Sequence, residues 1–381
     1  MRVSPLGWSV AVAAAAGQLV GRLLGWTELA ALGTAAGGVL VASLVMTAGR
    51  ARYRVTLDLA TRRVTVGERA VGRLVVGNAA RRRSLPSRLE LPVGRSVADL
   101  AVPSLAPGAR HDDLVAVPTD RRCVVVVGPV RSWRGDPLGL ARRTVRWTDP
   151  VELFVHPRVV ALGAATAGVL RDLEGQTARD RSDTDLSFHA LRDYVAGDDR
   201  RYIHWRTTAR RGTLMVKQFE DTRRTQTAIA LADAPADYAG EDDLELAVSV
   251  AASLGVQAIR DRRGVAVVAG PGRMRVASPP VLLDDCAAFT TGSGGAGVHL
   301  LGRRVAREAP DASLAVLVTG AVPDDRDLRL GAQHVPSGAR TLVMRCAPGA
   351  QVSARTNGLL TLATLGALDD LPRLLRRAVL P

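Results

Sequence analysis

The chain has almost no lysine. Of its 51 basic residues only Lys217 is one, so arginine carries nearly all of the +14 formal charge. Such one-sided usage, alongside abundant Ala, Gly and Val, reflects composition rather than selection for phosphate contacts. No long basic arm is present, and the longest arginine run, Arg81 to Arg83, falls in an expected loop. Nucleic-acid binding is disfavoured on those grounds; attraction to an anionic membrane surface is the simpler use of the charge. Cysteine is equally scarce. Cys123, Cys286 and Cys346 lie far apart and form no CxxC or Cys/His cluster, which argues against a disulfide framework and for a reducing compartment. The glycine-rich stretch Thr290–Gly297 (TTGSGGAG) lacks the lysine that a Walker A loop needs to reach phosphates. It reads as a flexible loop, and the chain is not a P-loop ATPase. Aromatics make up only 3% of the 381 residues, but apolar content is 47%, ample for the cores of two or three domains.

Long uncharged runs are present only at the start. Residues from about Leu6 to Leu24 are apolar apart from Gln18 and Arg22, and Leu29 to Ala48 carry no charge. The second run has the length of a membrane-crossing helix. Trp8 and Trp26 are placed as interfacial anchors, and Arg50, Arg52 and Arg54 follow at once. The positive-inside rule then predicts an inner-membrane, multi-pass protein whose C-terminal body is cytoplasmic. A cleaved signal peptide over the first run is the alternative, with the second run as stop-transfer helix.

Periodicity divides the remainder. Tyr53, Val55, Leu57 and Leu59 alternate with polar residues, as in a half-buried strand. Short runs at Val64–Val66, Val71–Val76, Leu89–Leu91, Cys123–Val127, Val145–Trp147 and Val151–Val155 continue the pattern, with a tight turn at Gly135–Leu140. They predict an all-β sandwich of immunoglobulin-like size over 51–157. Beyond 220 the pattern alternates. Thr227–Ala232, Val265–Ala269, Leu314–Thr319 and Leu342–Cys346 read as buried strands; Leu244–Ile259, Leu282–Phe289 and Leu371–Leu380 read as helices. That predicts an α/β domain over 221–381 with a mainly parallel sheet covered on both faces.

Between them, over 158–220, lies the densest chemistry: LSFHALRDYVAGDDRRYIHWRTTARRGTLMVKQFE, Leu186 to Glu220. Gly197 supplies a turn and Asp198 or Asp199 caps a helix. Tyr202, Trp205 and Ala209 share a stripe of that helix, Gly212 stops it, and Thr213–Glu220 is a strand. Large rings among the charges point to burial.

The order Arg192-x-Tyr194, Gly197-Asp198-Asp199, Arg201-x-Ile203-His204-Trp205, Ala209-Arg210, Gly212, Leu214, Lys217, Phe219-Glu220 resembles the signature of the bacterial domain of unknown function 58 family. Asp136-Pro137-Leu138-Gly139-Leu140 is similar to that family's DPFGL element. Arg200 departs from it, standing where a proline or small apolar residue is usual. The resemblance implies a transmembrane helical hairpin over 1–50, a β-rich domain and a von Willebrand factor A-like α/β domain. It implies no enzymatic activity and no cofactor. The implied partner is a MoxR-type AAA+ ATPase, in some cases with a transglutaminase-like membrane protein. The partner surface is then expected at Arg192, Tyr194, Gly197, Asp198, Asp199, Arg201, His204, Trp205, Arg210, Gly212 and Lys217.

Two chemical alternatives start from acids. Asp198, Asp199 and His204 could serve acid–base chemistry or hold a metal, but a cap and pairing with Arg192, Arg201 or Arg210 would account for both carboxylates. A-type domains also often hold a metal with Asp-x-Ser-x-Ser after their first strand. Here Asp233 is followed by Ala234-Pro235-Ala236-Asp237, without either serine, and Thr319-Gly320 ends a later strand where an aspartate is common. Most of the oxygen cage is missing, a degenerate site at best. The expectation is therefore a membrane-anchored, non-enzymatic adaptor or assembly factor. The runner-up is a metal-dependent binding or hydrolytic protein using Asp198, Asp199, His204 or Asp233.

Overall fold

The computed structural model describes residues 2–47, 52–163, 186–195, 198–221, 226–270, 272–292, 295 and 297–379. Two compact units are present, Met1–Val155 and His156–Pro381.

The first unit opens with a short strand, β1 (Arg2–Val3), and two helices, α1 (Pro5–Leu24) and α2 (Thr27–Thr47). Ser4 caps α1 by accepting the Gly7 N–H on its hydroxyl at 3.0 Å, and Pro5 suits the first turn. Gly25, at φ 73°, closes the helix and returns its N–H to Gly21. Both helices are long and apolar enough to cross a membrane. Their seam is built of small residues. A Cβ on Gly21 would lie 2.6 Å from Ala30 N, and one on Gly33 would lie 2.8 Å from Gln18 N. The Gly17-x-x-x-Gly21 spacing allows that close backbone approach. Gln18, which interrupts the apolar run, crosses the seam and donates to the Ala30 carbonyl at 2.8 Å and to Thr34. Gly21→Leu is expected to splay the hairpin at a cost of about 1–3 kcal/mol. The measurements are the melting temperature of the full chain in detergent and protease nicking at the 25–27 link; no change in either refutes the seam.

The rest of this unit is β. It comprises β2 (Tyr53–Leu59), β3 (Arg63–Thr65), β4 (Ala70–Asn78), β5 (Ser87–Val93), β6 (Ser96–Val102), β7 (Arg110–Val117), β8 (Cys123–Val127), β9 (Arg131–Gly135), β10 (Ala141–Arg146) and β11 (Val151–His156). One sheet runs β1-β10-β9-β5-β8-β11-β3 with β6 beside β5, and a second runs β2-β4-β7. Leu89, Leu91, Val127 and Leu153 from the larger sheet share one core with Leu74, Val76 and Val115 from the smaller.

The Asp136–Leu140 turn joins β9 to β10 and meets the helical hairpin. The Asp136 carboxylate accepts the backbone N–H groups of Leu138 (3.1 Å), Leu140 (3.2 Å) and Ala141 (2.6 Å). Burial pushes this carboxyl up, but those N–H groups and the Ser43 hydroxyl outweigh it and hold it below its ordinary range. Ser4 N–H donates to the Leu140 carbonyl at 2.9 Å, and Val3 pairs with Ala141. A Cβ on Gly7 would collide with the same carbonyl, so glycine is required there.

The second unit contains β12 (Leu186–Asp193), α3 (Trp205–Arg211), β13 (Met215–Asp221), β14 (Gln226–Leu231), α4 (Glu241–Arg260), β15 (Gly264–Ala269), β16 (Gly272–Arg273) and α5 (Pro279–Ala288). It continues with α6 (Val298–Glu308), β17 (Leu314–Thr319), α7 (Asp325–Ala332), β18 (Arg340–Cys346), β19 (Ser353–Asn357), β20 (Leu360–Leu365) and α8 (Leu371–Val379). Its main sheet runs β16-β15-β14-β17-β18-β20-β19, parallel except for the two edge strands. Leu254, Leu282 and Leu374 cover one face of that sheet, while Val298, Leu301, Val305 and Leu328 cover the other. The first strand, β14, lies between β15 and β17, so the chain order reverses there. Such a switch point opens a crevice at the C-terminal ends of the parallel strands.

Candidate functional site

The signature segment is a hairpin with a helical insert. β12 and β13 pair antiparallel, Arg192 opposite Val216 and Asp193 opposite Met215. Arg192 grips Asp198 with both guanidinium nitrogens at 2.7 Å, and Asp198 also accepts the Val195 N–H at 2.9 Å. Asp199 accepts the Arg201 N–H at 3.0 Å, capping a single 3-10 turn at Arg200–Tyr202, and pairs with the Arg201 side chain at 3.3 Å. His204 caps α3: its Nδ1 accepts the Thr207 N–H at 3.2 Å and lies 2.8 Å from the Thr207 hydroxyl. Gly212, at φ 74°, closes α3 as expected from its place in the sequence.

Two sequence expectations are corrected here. The helix does not begin after Asp199. It breaks at Ile203, which forms an isolated bridge to Val216, so Tyr202 and Trp205 do not share a helical stripe. Nor is Trp205 buried, being 66% exposed, while Tyr194 is half-buried. Ile203, Met215 and Val216 supply the local core instead. Arg210 makes no ion pair among the described residues and stands exposed, whereas Lys217 is half-buried. Gly197 lies outside the described residues.

The second cluster occupies the switch point. Asp233 follows β14 and is only 6% exposed; Arg304, reaching in from α6, holds its two carboxylate oxygens at 2.9 and 3.4 Å. Asp237, on the next short turn, accepts the Val298 N–H at 2.7 Å and lies 3.4 Å from the Thr319 hydroxyl. Asp243 braces the same edge by accepting the Ala239 and Gly240 N–H groups and, across the crevice, that of Ala321 at 3.0 Å. A Cβ on Gly295 would collide with the Asp233 carbonyl, so only glycine fits at that position. Asp233 is thus paired with a guanidinium, while Asp237 is held by a backbone N–H and lies beside a hydroxyl. Among the described residues no group of three or more His, Cys, Asp or Glu is placed to hold a metal ion. Arg304 is the residue that sequence reasoning passed over. The residues Val298, Leu301 and Val305 at helical spacing could have placed its helix, though not its partner.

Burial drives the Asp237 carboxyl above its ordinary range, only partly opposed by the Val298 N–H and the Thr319 hydroxyl. A raised acid contributes stability below its unfolded pKa and loses it as pH rises through the folded value. Asp237→Asn, which keeps an acceptor for Val298 and has no charge to bury, is therefore expected to raise the melting temperature at pH 7. The gain should fade as the buffer is acidified towards pH 4, the ordinary carboxylate range. A gain that instead grew with acidity would overturn this reading.

The fold and its two clusters define a chain with an apolar helical hairpin, a two-sheet β unit, and an α/β unit whose switch-point carboxylate is closed by arginine. Residues 190–282, from within β12 into α5, match the family described as "Protein of unknown function DUF58". That match is to this segment, which joins the signature hairpin to the first part of the α/β sheet. Comparison with curated proteins gives no match. Among solved structures, similarity reaches the CARDB domain of the PF1109 protein from Pyrococcus furiosus at 11% identity and TM-score 0.21, covering 28% of this chain and 93% of that one. The sporulation control protein Spo0M from Bacillus subtilis matches at 15% identity and TM-score 0.18, over 38% of this chain and 60% of that one. Scores at this level do not define a common fold.

Proposed function

We propose that the chain is a membrane-anchored, non-enzymatic adaptor or assembly factor that works with a MoxR-type AAA+ ATPase. The observation that supports this is what the signature segment leaves free. Its acids and His204 Nδ1 are engaged in capping and pairing, whereas Trp205, Arg206 and Arg210 stand exposed together on α3. Exposed tryptophan and arginine are the side chains that most often anchor protein contacts. In this reading the hairpin crosses the inner membrane twice and the arginines after α2 keep the body cytoplasmic. Two sheets on one core support an immunoglobulin-like sandwich, and the strand order of the α/β unit supports a von Willebrand factor A-like domain. The transglutaminase-like membrane protein remains a second partner of the same proposal.

The test is co-purification of the full detergent-solubilised chain with the ATPase held in its ATP-bound state. Trp205→Ala should abolish capture while leaving the melting temperature within about 1 kcal/mol-equivalent of the parent, as for a surface change. Undiminished capture by that variant refutes the surface, and no capture by the parent refutes the partnership. The metal-dependent or hydrolytic alternative is weakened by the engagement of Asp198, Asp199, His204 and Asp233. Loss of function in a folded D198N/D199N variant would revive it. An active periplasmic reporter fused after Pro381 would reverse the topology.

A further inference from the structure

The first unit contains a cavity of about 1190 Å³ that neither cluster above uses. Ligand pockets usually enclose about 300–1000 Å³, so this one is roomy enough for a small polar molecule or a headgroup. Buried Tyr53, half-buried Ser87 and Ser132, Trp133 and exposed arginines are among the residues that line it. Among the described residues, five arginines take part (Arg52, Arg81, Arg82, Arg83 and Arg88) and no acid does.

That imbalance is not the general condition of this unit. Elsewhere on it Arg73 pairs with Asp112, Arg142 with Glu90 and Arg146 with Asp149. Among the described residues the five cavity arginines have no carboxylate partner. Five like charges around one hollow repel each other, a cost that an anion would remove. The loop carrying three of them is also firmly held. Buried Asn78 donates to the Arg82 carbonyl at 2.9 Å and to the Leu105 carbonyl at 2.9 Å, and accepts the Ala80 N–H at 2.9 Å. The Tyr53 hydroxyl lies 2.9 Å from Ser87 Oγ and donates to the Leu85 carbonyl at 3.2 Å. Guanidinium groups beside serine hydroxyls are the donor set for phosphate oxygens.

Position narrows the source of that phosphate. Arg52 lies on the cavity wall, and α2 ends at Thr47. The intervening chain, fully extended, spans at most about 18 Å. Exposed Leu85 and Pro86 sit beside the arginines, as suits a surface facing the headgroup layer.

We propose that this cavity is a binding site for the phosphate-bearing headgroup of an anionic phospholipid, gripped by Arg81, Arg82, Arg83, Arg52 and Arg88. The lipid as source rests on the membrane-anchored reading above. The site would fix the β unit against the bilayer and make its docking depend on lipid charge.

The test uses the full chain in neutral detergent, titrated calorimetrically with dihexanoyl phosphatidylglycerol, dihexanoyl phosphatidylcholine and inorganic phosphate. Phosphatidylglycerol should bind and phosphatidylcholine should not. R81Q/R82Q/R83Q should weaken phosphatidylglycerol binding by roughly a hundredfold, at about a factor of five per arginine lost near the surface. R81K/R82K/R83K should restore most of it, and Arg88→Gln alone should weaken it severalfold, so that neither result depends on the triple variant folding well. Inorganic phosphate displacing the lipid at equal concentration supports the anion site but assigns it to a soluble phosphate. Equal binding of the two lipids, or an unchanged R81Q/R82Q/R83Q variant, overturns the proposal. So does tighter binding of a single-stranded oligonucleotide than of phosphatidylglycerol. Carbonate extraction separates this from anchoring: both parent and triple variant should stay in the membrane pellet. Release of the parent would overturn anchoring, and with it the lipid as source, whatever the titrations give.

Discussion

Replacing Arg304 by alanine is expected to destabilise the α/β unit by about 3–5 kcal/mol, because it leaves a buried carboxylate with its main counter-charge removed. Asp233 is 6% exposed and Arg304 itself is 17% exposed in its side chain. Water therefore cannot replace the guanidinium without opening the crevice between β14 and β17. For a unit of this size the loss corresponds to a drop in melting temperature of roughly 10 °C. The companion variant is R304A/D233N. It has no charge left to bury, so most of the loss should be recovered, and the difference between single and double variants isolates the pair. If R304A melts like the parent, the pair carries no structural weight. Magnesium offers a further check. A hard divalent cation needs about six oxygens, and the vacated site would offer chiefly Asp233, since one Asp237 oxygen already accepts Val298 N–H and faces Thr319. Millimolar magnesium should therefore not rescue R304A. Full rescue would instead revive a metal site that one substitution had closed.

The same pair shows what the sequence could and could not reveal. Strands with uninterrupted apolar runs were legible because burial on both faces needs no alternation: Leu314–Thr319 was expected at its observed bounds, and Gln226–Leu231 and Gly264–Ala269 within one residue. Strands that carry charge were not. β7, Arg110–Val117, opens with Arg-His-Asp-Asp and has one solvent-facing side, so its period was hidden by polar residues. α6 and α7 were also passed over, being short, charged helices whose single apolar stripes packed beneath the sheet are interrupted by arginines and aspartates. The acids of the signature segment cap and pair as their spacing predicts: Asp198 meets Arg192 and Asp199 caps the next turn. The exposure of Trp205 was missed because a ring's burial depends on what packs over it, which lies outside its own sequence window. For the same reason Asp233 could be placed at a strand end while its partner, 71 positions later, could not.

A second large effect is expected within the α/β unit at Asp284. Its carboxylate meets His156 Nε2 at 2.8 Å, with both side chains buried, at 7% and 9% exposure. Asp284 sits on α5 beside Asp285, and the neighbours divide the helix between them. Asp285 faces outward to Arg275, which binds it through Nε at 3.0 Å and through its backbone N–H at 2.7 Å. Burial pushes the Asp285 carboxyl up, but Arg275 outweighs that and holds it below the ordinary range. Asp284 faces inward, where solvent cannot complete its hydrogen bonds. Asp284→Ala should therefore cost about 2–3 kcal/mol, the value of a buried hydrogen bond to a charged group. The corresponding drop in melting temperature is roughly 8 °C. Asp284→Asn retains an oxygen acceptor for an Nε2–H donor and should lose less than half as much. Asp285→Ala, which breaks a pair whose arginine is largely in solvent, should lose under about 1 kcal/mol. The ordering of the three variants carries the prediction. If Asp285→Ala proves as damaging as Asp284→Ala, burial is not what gives the inner pair its weight, and the contrast drawn between the two faces of α5 fails.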